Sequence, residues 1–140
     1  EKCTECGRCT LVCSIEKSGR IHPQKARIQI ERRWPDVPKI AVCRFEDCDG
    51  HPCVEACPVE AIHVEDGKIF IYEEECTGCT ICVESCPYDA IWMNDDTDKA
   101  VKCDLCGGNP ACVPECVTHA LKYLGAGRQQ VGCSPMRPKE

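Results

Sequence analysis

Residues 3–13, "CTECGRCTLVC", set four cysteines within eleven positions. Thiols this dense have three chemical uses: cross-linking as disulfides, holding zinc, or holding iron–sulfur clusters. The chain of 140 residues carries 17 cysteines, and sixteen of them fall into four groups of four. Group one is Cys3, Cys6, Cys9 and Cys13, and group two is Cys43, Cys48, Cys53 and Cys57. Group three is Cys76, Cys79, Cys82 and Cys86, and group four is Cys103, Cys106, Cys112 and Cys116. The last interval is C-x3-C in every group, while earlier intervals stretch from x2 to x4 or x5. A unit of 27 to 40 residues therefore repeats around candidate ligands.

The spacing separates the three chemistries. A disulfide framework uses thiols in pairs, and 17 is odd. A structural zinc site takes two C-x2-C knuckles, so the third cysteine of the crowded triples in groups one and three has no role in it. Group three, "CTGCTICVESCP", is C-x2-C-x2-C-x3-C-P, the run that holds 4Fe-4S clusters with its fourth cysteine serving the other cluster of a pair. Three thiols on one tight loop cap three corners of a cubane, and a fourth on the following helical turn faces a neighbour. Cys133 lies outside every group and is expected to ligate nothing.

The elements that must position these thiols follow from the segments between them. Helical turns are expected after the third cysteine of each group, at 10–14, 54–57, 83–86 and 113–116. Pro58 and Pro87 end the second and third of these and turn the chain into a strand. Residues 61–76 read as two strands about an Asp66-Gly67 turn, with Ile62, Val64, Ile69 and Ile71 as apolar cover for a cluster. Residues 90–103 repeat the design with a longer Asn/Asp turn, and 25–43 repeat it around a Pro-containing loop at 34–38. Only 5% of the chain is aromatic, so no conventional aromatic core is available, and Trp34 and Trp92 read as packing anchors. Residues 125–140 carry Gly, Pro and Arg without periodicity and read as a surface tail or docking arm.

Composition excludes other functions. With 17 Lys+Arg against 23 Asp+Glu the formal charge is −6, which opposes the phosphate neutralisation that nucleic-acid binding needs. The basic residues Lys25, Arg27, Arg32, Arg33 and Lys39 read as a solvated strand face, with docking to an acidic partner as the sharper alternative. The acidic run at 72–76 reads as a solvated rim. No run of 18 apolar residues encodes a membrane span. No dinucleotide fingerprint, P-loop or convergent acid–base set is present, so catalysis by the chain itself is not expected. His51, between Cys48 and Cys53, reads as a solvated loop histidine; donation to a cluster sulfur, or ligation in place of Cys48, are its alternatives. The first residue is Glu1, and a leader ahead of it stays open.

The segment from Cys43 to about Asn94 resembles a bacterial two-cluster ferredoxin. With groups one and four, residues 1 to about 124 resemble the four-cluster electron-transfer subunits of molybdenum and tungsten pterin oxidoreductases. "CDLCGG", "ACVPEC" and "SGRIHPQKARIQI" look most like the small subunits of tungsten-dependent aldehyde oxidoreductases and related carbon monoxide dehydrogenase carriers. Two departures stand out: x4 between Cys43 and Cys48, which makes Cys48 the less secure ligand, and Val117 in place of Pro after Cys116.

The resemblance implies an α+β fold of tandem bacterial-ferredoxin-like lobes, with short β-hairpins and helical turns around the clusters. The outer lobe is 1–35 plus 96–124, the inner lobe is 36–95, and 125–140 is the tail. Four 4Fe-4S clusters are implied, with last cysteines exchanged in nested pairs. The ligand sets are then Cys3, Cys6, Cys9 and Cys116; Cys103, Cys106, Cys112 and Cys13; Cys43, Cys48, Cys53 and Cys86; and Cys76, Cys79, Cys82 and Cys57. Sequential pairing of group one with two and three with four stays open. The implied function is single-electron relay, in a reducing cytoplasm, between a pterin-containing catalytic subunit and a flavin- or NAD-binding subunit, a ferredoxin or a further copy of the chain. The alternatives are a free soluble polyferredoxin, or a subunit of a carbon monoxide dehydrogenase, formate dehydrogenase or hydrogenase complex.

Overall fold

Three antiparallel hairpins and three short helices make up the computed structural model, which describes residues 2–123. Helix α1 (Arg8–Ser18) leads into a 3-10 turn (Pro23–Lys25) and the hairpin β1 (Gln29–Glu31) and β2 (Lys39–Ala41). Helix α2 (Pro52–Ala56) precedes the hairpin β3 (Ile62–Glu65) and β4 (Lys68–Ile71). Helix α3 (Ile81–Ser85) precedes the hairpin β5 (Ile91–Asn94) and β6 (Lys99–Lys102). Among the described residues each sheet has only two strands.

The residue after each C-x3-C cysteine sets helix length. Pro58 and Pro87 demand extended backbone before them, and Cys57 (ψ 110°) and Cys86 (ψ 115°) supply it, so α2 and α3 stop after five residues. Ser14 follows Cys13, so α1 runs on to Ser18 and closes on left-handed Gly19, whose N–H reaches the Ile15 carbonyl at 2.8 Å. Group four departs from the expected helical turn at 113–116: those residues form irregular turns. The nearby 3-10 segment Leu105–Gly108 is itself broken by left-handed Leu105, Cys106 and Gly107.

Isolated hairpins are marginal, so each needs backing. One apolar cluster joins Cys53, Ala61, Ile62, Ile69, Cys76, Cys82, Ile91 and Ala100, with α2 packed on α3. The other joins Cys9, Cys13, Ala26 and Ile28, backed by Ile30, Ile40, Val42, Cys112 and Leu121. The largest fully buried side chains are Ile28 and Ser14, so thiols and small residues fill the interior. The loops of β1–β2 and β5–β6 contain the 35/36 and 95/96 positions, and both hairpins therefore give one strand to each half of the chain.

Two expectations about apolar residues change. Val64 is exposed at the turn end of β3, although Ile62 on the same face and Ile69 opposite it are buried, and Ile71 is half-buried. Trp34 is 94% exposed on the β1–β2 loop and anchors no packing among the described residues; Trp92 is half-buried. No helix of the described residues is long and apolar enough to cross a membrane. The tail and Cys133 lie outside the described residues.

Candidate iron–sulfur sites

Three of the four C-x3-C cysteines share one local device. After Cys57, Cys86 and Cys116 the third residue is left-handed: Glu60 (φ 53°), Asp89 (φ 50°) and His119 (φ 52°). Its N–H bonds back to the cysteine carbonyl, at 3.3, 3.3 and 3.0 Å respectively. The next residue is alanine, and its N–H aims at the thiol. Ala61 reaches Cys57 Sγ at 3.3 Å and Ala90 reaches Cys86 Sγ at 3.4 Å. The Cys116 thiol takes N–H groups from Leu121, Thr118 and Ala120. Burial pushes that thiol up, but these donors outweigh it and hold it below its ordinary value. The sequence pattern C-x3-A marks the device in all three places and was not read from the sequence. Val117 keeps it without a proline. Cys13 lacks it, and the N–H of Arg27, across the chain, donates to its sulfur at 3.1 Å instead.

One quartet of thiols borders a common pocket, and thiols of different groups neighbour one another elsewhere. A pocket is lined by Cys57 together with Cys76, Cys79 and Cys82, walled by residues such as Ala61, Ile62 and Ala100. Burial pushes Cys82 up, and Cys76, Cys79 and Cys57 add to the effect. Cys53 is pushed up to about 11, by burial first and then by Cys43, Cys86 and Cys48, against the lowering influence of Lys102. Cys48 is likewise raised by burial, then Cys43 and Cys86. Cys103 is pushed up to about 11 by burial, with Cys13, Cys43 and Cys106 contributing. Cys112 is raised further by burial, then by Cys103, Cys13, Cys106 and Cys9. Cys9 is raised by burial, with Cys116 and Cys3 as its charged neighbours. Cys6 is exposed on the loop between Cys3 and α1, which carries Cys9.

None of the sixteen described cysteines is in a disulfide. Among the described residues no three His, Cys, Asp or Glu side chains converge closely enough for a single metal ion. Cys57, Cys76, Cys79 and Cys82 border a shared volume instead of one point, which is what the corners of a cubane require. A cationic iron–sulfur core held by these cysteines would compensate the thiolate charge that burial and mutual repulsion oppose. The backbone N–H groups already aimed at Cys13, Cys57, Cys86 and Cys103 are the donors such sulfurs use.

His51 is not a solvated loop histidine. Its ring stacks on Phe45 at 4.4 Å, and its Nδ1 is buried with no hydrogen-bond partner. A buried ring nitrogen needs a partner, and a cluster sulfur beside Cys48 and Cys53 would provide one. The basic stretch is not simply solvated either. Lys25 pairs with Asp96, Arg27 with Asp104, Arg32 with Glu5, Arg33 with Glu31 and Lys39 with Asp89. Four of these five pairs tie the 25–39 region to another part of the chain. The acidic run at 72–76 is exposed up to Glu75, as expected of a rim.

Glycine is obligatory in one cysteine-bearing loop. Gly78, between Thr77 and Cys79, has φ +74°, and a Cβ there would stand 2.4 Å from the Asp98 carbonyl oxygen.

A small α+β body built of hairpins and short helices, with sixteen free thiols among the described residues and four of them around one pocket, defines an iron–sulfur protein of ferredoxin-like construction. The chain belongs to the 4Fe-4S dicluster domain family, whose model matches residues 38–126. It is 37% identical to the polyferredoxin-like subunit of an aliphatic sulfonate oxidoreductase from Pyrococcus furiosus, over 83% of this chain and 67% of that one. It is 31% identical to a thiosulfate reductase electron transfer subunit of Salmonella typhi, over 88% of this chain and 71% of that one. It is 37% identical to the beta subunit of an NADH-dependent phenylglyoxylate dehydrogenase of Aromatoleum evansii, of which the match spans only 28%.

Proposed function

We propose that the chain is an electron-transfer subunit of an oxidoreductase complex, holds four 4Fe-4S clusters and catalyses nothing alone. The pocket that Cys57 shares with Cys76, Cys79 and Cys82 carries this reading, because the last cysteine of one group meets the triple of the next. Nested exchange of ligands between groups two and three, and between one and four, is supported by the neighbours of Cys53, Cys103 and Cys112. In the bound state each cluster supplies one-electron reduction and reoxidation. The chain's own residues hold the sulfurs, donate N–H groups to them and keep the quartets next to one another. The charge coupling of Cys112 with Cys9 and of Cys103 with Cys43, and the packing of α2 on α3, support an arrangement of the quartets in series. The exposed Cys6 and Cys79 belong to the first and last of them.

The partner proposed is a catalytic subunit with a tungsten or molybdenum pterin, of the aldehyde-oxidising class by resemblance of the group-one and group-four wording. Relatives named for sulfonate, thiosulfate and tetrathionate oxidoreductases support a catalytic partner of broader kind. Iron and sulfide analysis of the anaerobic protein, with native mass spectrometry of the complex, tests both parts. About sixteen of each atom per chain, in company with a larger subunit, is the expected result. A value near eight overturns the cluster count, and a monodisperse monomer that exchanges electrons with unrelated reductases makes it a free polyferredoxin. The isolated chain should accept electrons from a low-potential dye and oxidise no aldehyde, formate or carbon monoxide.

A further inference from the structure

Lys102 is 3% exposed and is the one buried charged side chain among the described residues. It ends β6 opposite Ile91, at a core-facing register position like that of Ala100, where the pattern of a strand calls for an apolar residue. Its Nζ donates to the Ile69 carbonyl at 3.4 Å, and no carboxylate pairs with it among the described residues. Other lysines and arginines do find carboxylates: Lys17 and Arg27 share Asp104, and Lys25 and Lys39 hold Asp96 and Asp89. A buried ammonium with only a long bond to a carbonyl is costly unless an anion compensates it. Ile69, which it bonds, and Ile91, opposite it, pack in one buried cluster with Cys53, and the Lys102 charge favours the ionised forms of the Cys48 and Cys53 thiols. A backbone anchor also fixes its position, since Arg27 Nη1 donates to the Lys102 carbonyl at 3.4 Å.

We propose that Lys102 is a positioning residue for the cluster held by Cys43, Cys48, Cys53 and Cys86: its buried ammonium is that cluster's internal counter-charge and raises its reduction potential. The inference rests on the cluster assignment above. A 4Fe-4S core with four thiolates is a dianion, and uptake of one electron from a partner subunit or from dithionite makes it a trianion without bond breakage or proton transfer. The adjacent cation stabilises the trianion more than the dianion. Net charge and burial are the levers by which a protein sets such potentials. The charge coupling of Cys43 with Cys103 supports a place for this quartet in the middle of the proposed series and not at an end.

The test is an anaerobic redox titration of the full chain, followed by electron paramagnetic resonance, in wild type, K102M, K102Q and K102R. In K102M and K102Q one midpoint falls and the others stay, and the shifted signal is the one that Cys48→Ser perturbs. K102R keeps the wild-type midpoint. Four unmoved midpoints in a fully loaded K102M overturn the inference and leave the cluster assignment standing. A wild-type chain without iron or without reducible signals overturns the assignment itself. Where neither neutral variant loads iron, K102R decides: full loading shows that the charge is required, and failure of K102R as well shows that Lys102 acts by shape and overturns the proposal.

Discussion

The inner pair of cysteine groups and the outer pair do the same work with different means. Groups two and three each put C-x3-C on a five-residue helix that starts after a left-handed residue, His51 or Thr80, and ends at Cys-Pro. Each then repeats the C-x3-A turn and feeds a four-residue hairpin. Groups one and four lack this symmetry, although group four keeps the C-x3-A turn after Cys116. Group one uses an eleven-residue helix, and group four has irregular turns where a helix is expected. Ion pairs fix group four instead. Asp104 accepts Lys17 at 2.6 and 2.9 Å and the Cys106 N–H at 3.0 Å, and Glu115 pairs with Arg8 of α1. Where local backbone geometry places the thiols, apolar packing suffices; where it does not, charged side chains from the opposite group do the placing.

Exchange of last cysteines is the feature both pairs are proposed to have in common, and breaking it gives the largest effects. Cys57→Ser should abolish or cripple the cluster of Cys76, Cys79 and Cys82, and Cys13→Ser that of Cys103, Cys106 and Cys112. Loss of up to about four iron atoms per chain in each case is the expected reading of an iron assay. Loss of a group-two signal from Cys13→Ser would replace nested pairing with sequential pairing.

Backbone geometry separates the halves next. Gly78→Ala in the inner half puts a methyl group 2.4 Å from a backbone oxygen at φ +74°, whereas Gly107→Ala in the outer half meets nothing within 4 Å at φ +70°. The second substitution should cost about 1–2 kcal/mol from the left-handed conformation alone. The first should cost at least about 3 kcal/mol, since neither the loop nor Asp98 yields without disturbing β5–β6. Denaturant unfolding under anaerobic conditions measures both, and equal losses would mean that the Gly78 loop is free to move.

The cysteine groups, the three hairpins and the two Cys-Pro helix ends were legible because each rests on local signals: ligand spacing, turn residues and a ring that forbids helix. The left-handed Glu60, Asp89 and His119 were not, since none of these residue types demands that conformation; the neighbouring alanine and sulfur impose it. The irregular turns of group four were hidden for a related reason. Gly107 and Gly108 permit many conformations, and partners more than 80 residues away in the sequence, Lys17 with Asp104 and Arg8 with Glu115, select among them. Charge pairing across such separations leaves no periodic trace, so the basic stretch read as a solvated face. Lys102 reads as surface by residue type, and only its register on β6 turns it inward.

Asp104→Asn tests whether ion pairing holds the outer half. Its carboxyl is pushed up by burial, yet Lys17, the Cys106 N–H and Arg27 outweigh that and hold it below the usual carboxylate range. A depressed folded value means stability that is complete above the unfolded value of about 3.9 and is lost as the pH falls through the folded one. The variant should therefore lose about 1–2 kcal/mol at neutral pH, with both partners mostly buried. The gap to wild type should narrow below about pH 4. A gap that does not change with pH would assign the loss to packing.

The smallest effect belongs to the loop that joins the halves at β1–β2. Trp34 is the largest side chain in that loop and is 94% exposed, so truncation removes almost no buried area. Arg32 and Arg33 beside it pair with Glu5 and Glu31 through exposed side chains, and such pairs add little to stability. Trp34→Ala in the isolated chain should change the unfolding free energy by less than about 0.5 kcal/mol and leave the iron content as it was. A tryptophan that packed against either half would cost several times that on truncation, as buried aromatics do, at about 3–5 kcal/mol. Anaerobic thermal unfolding of the two proteins side by side distinguishes these outcomes, and a large loss would mean that the two halves are clamped by this loop as well as by their thiols and ion pairs.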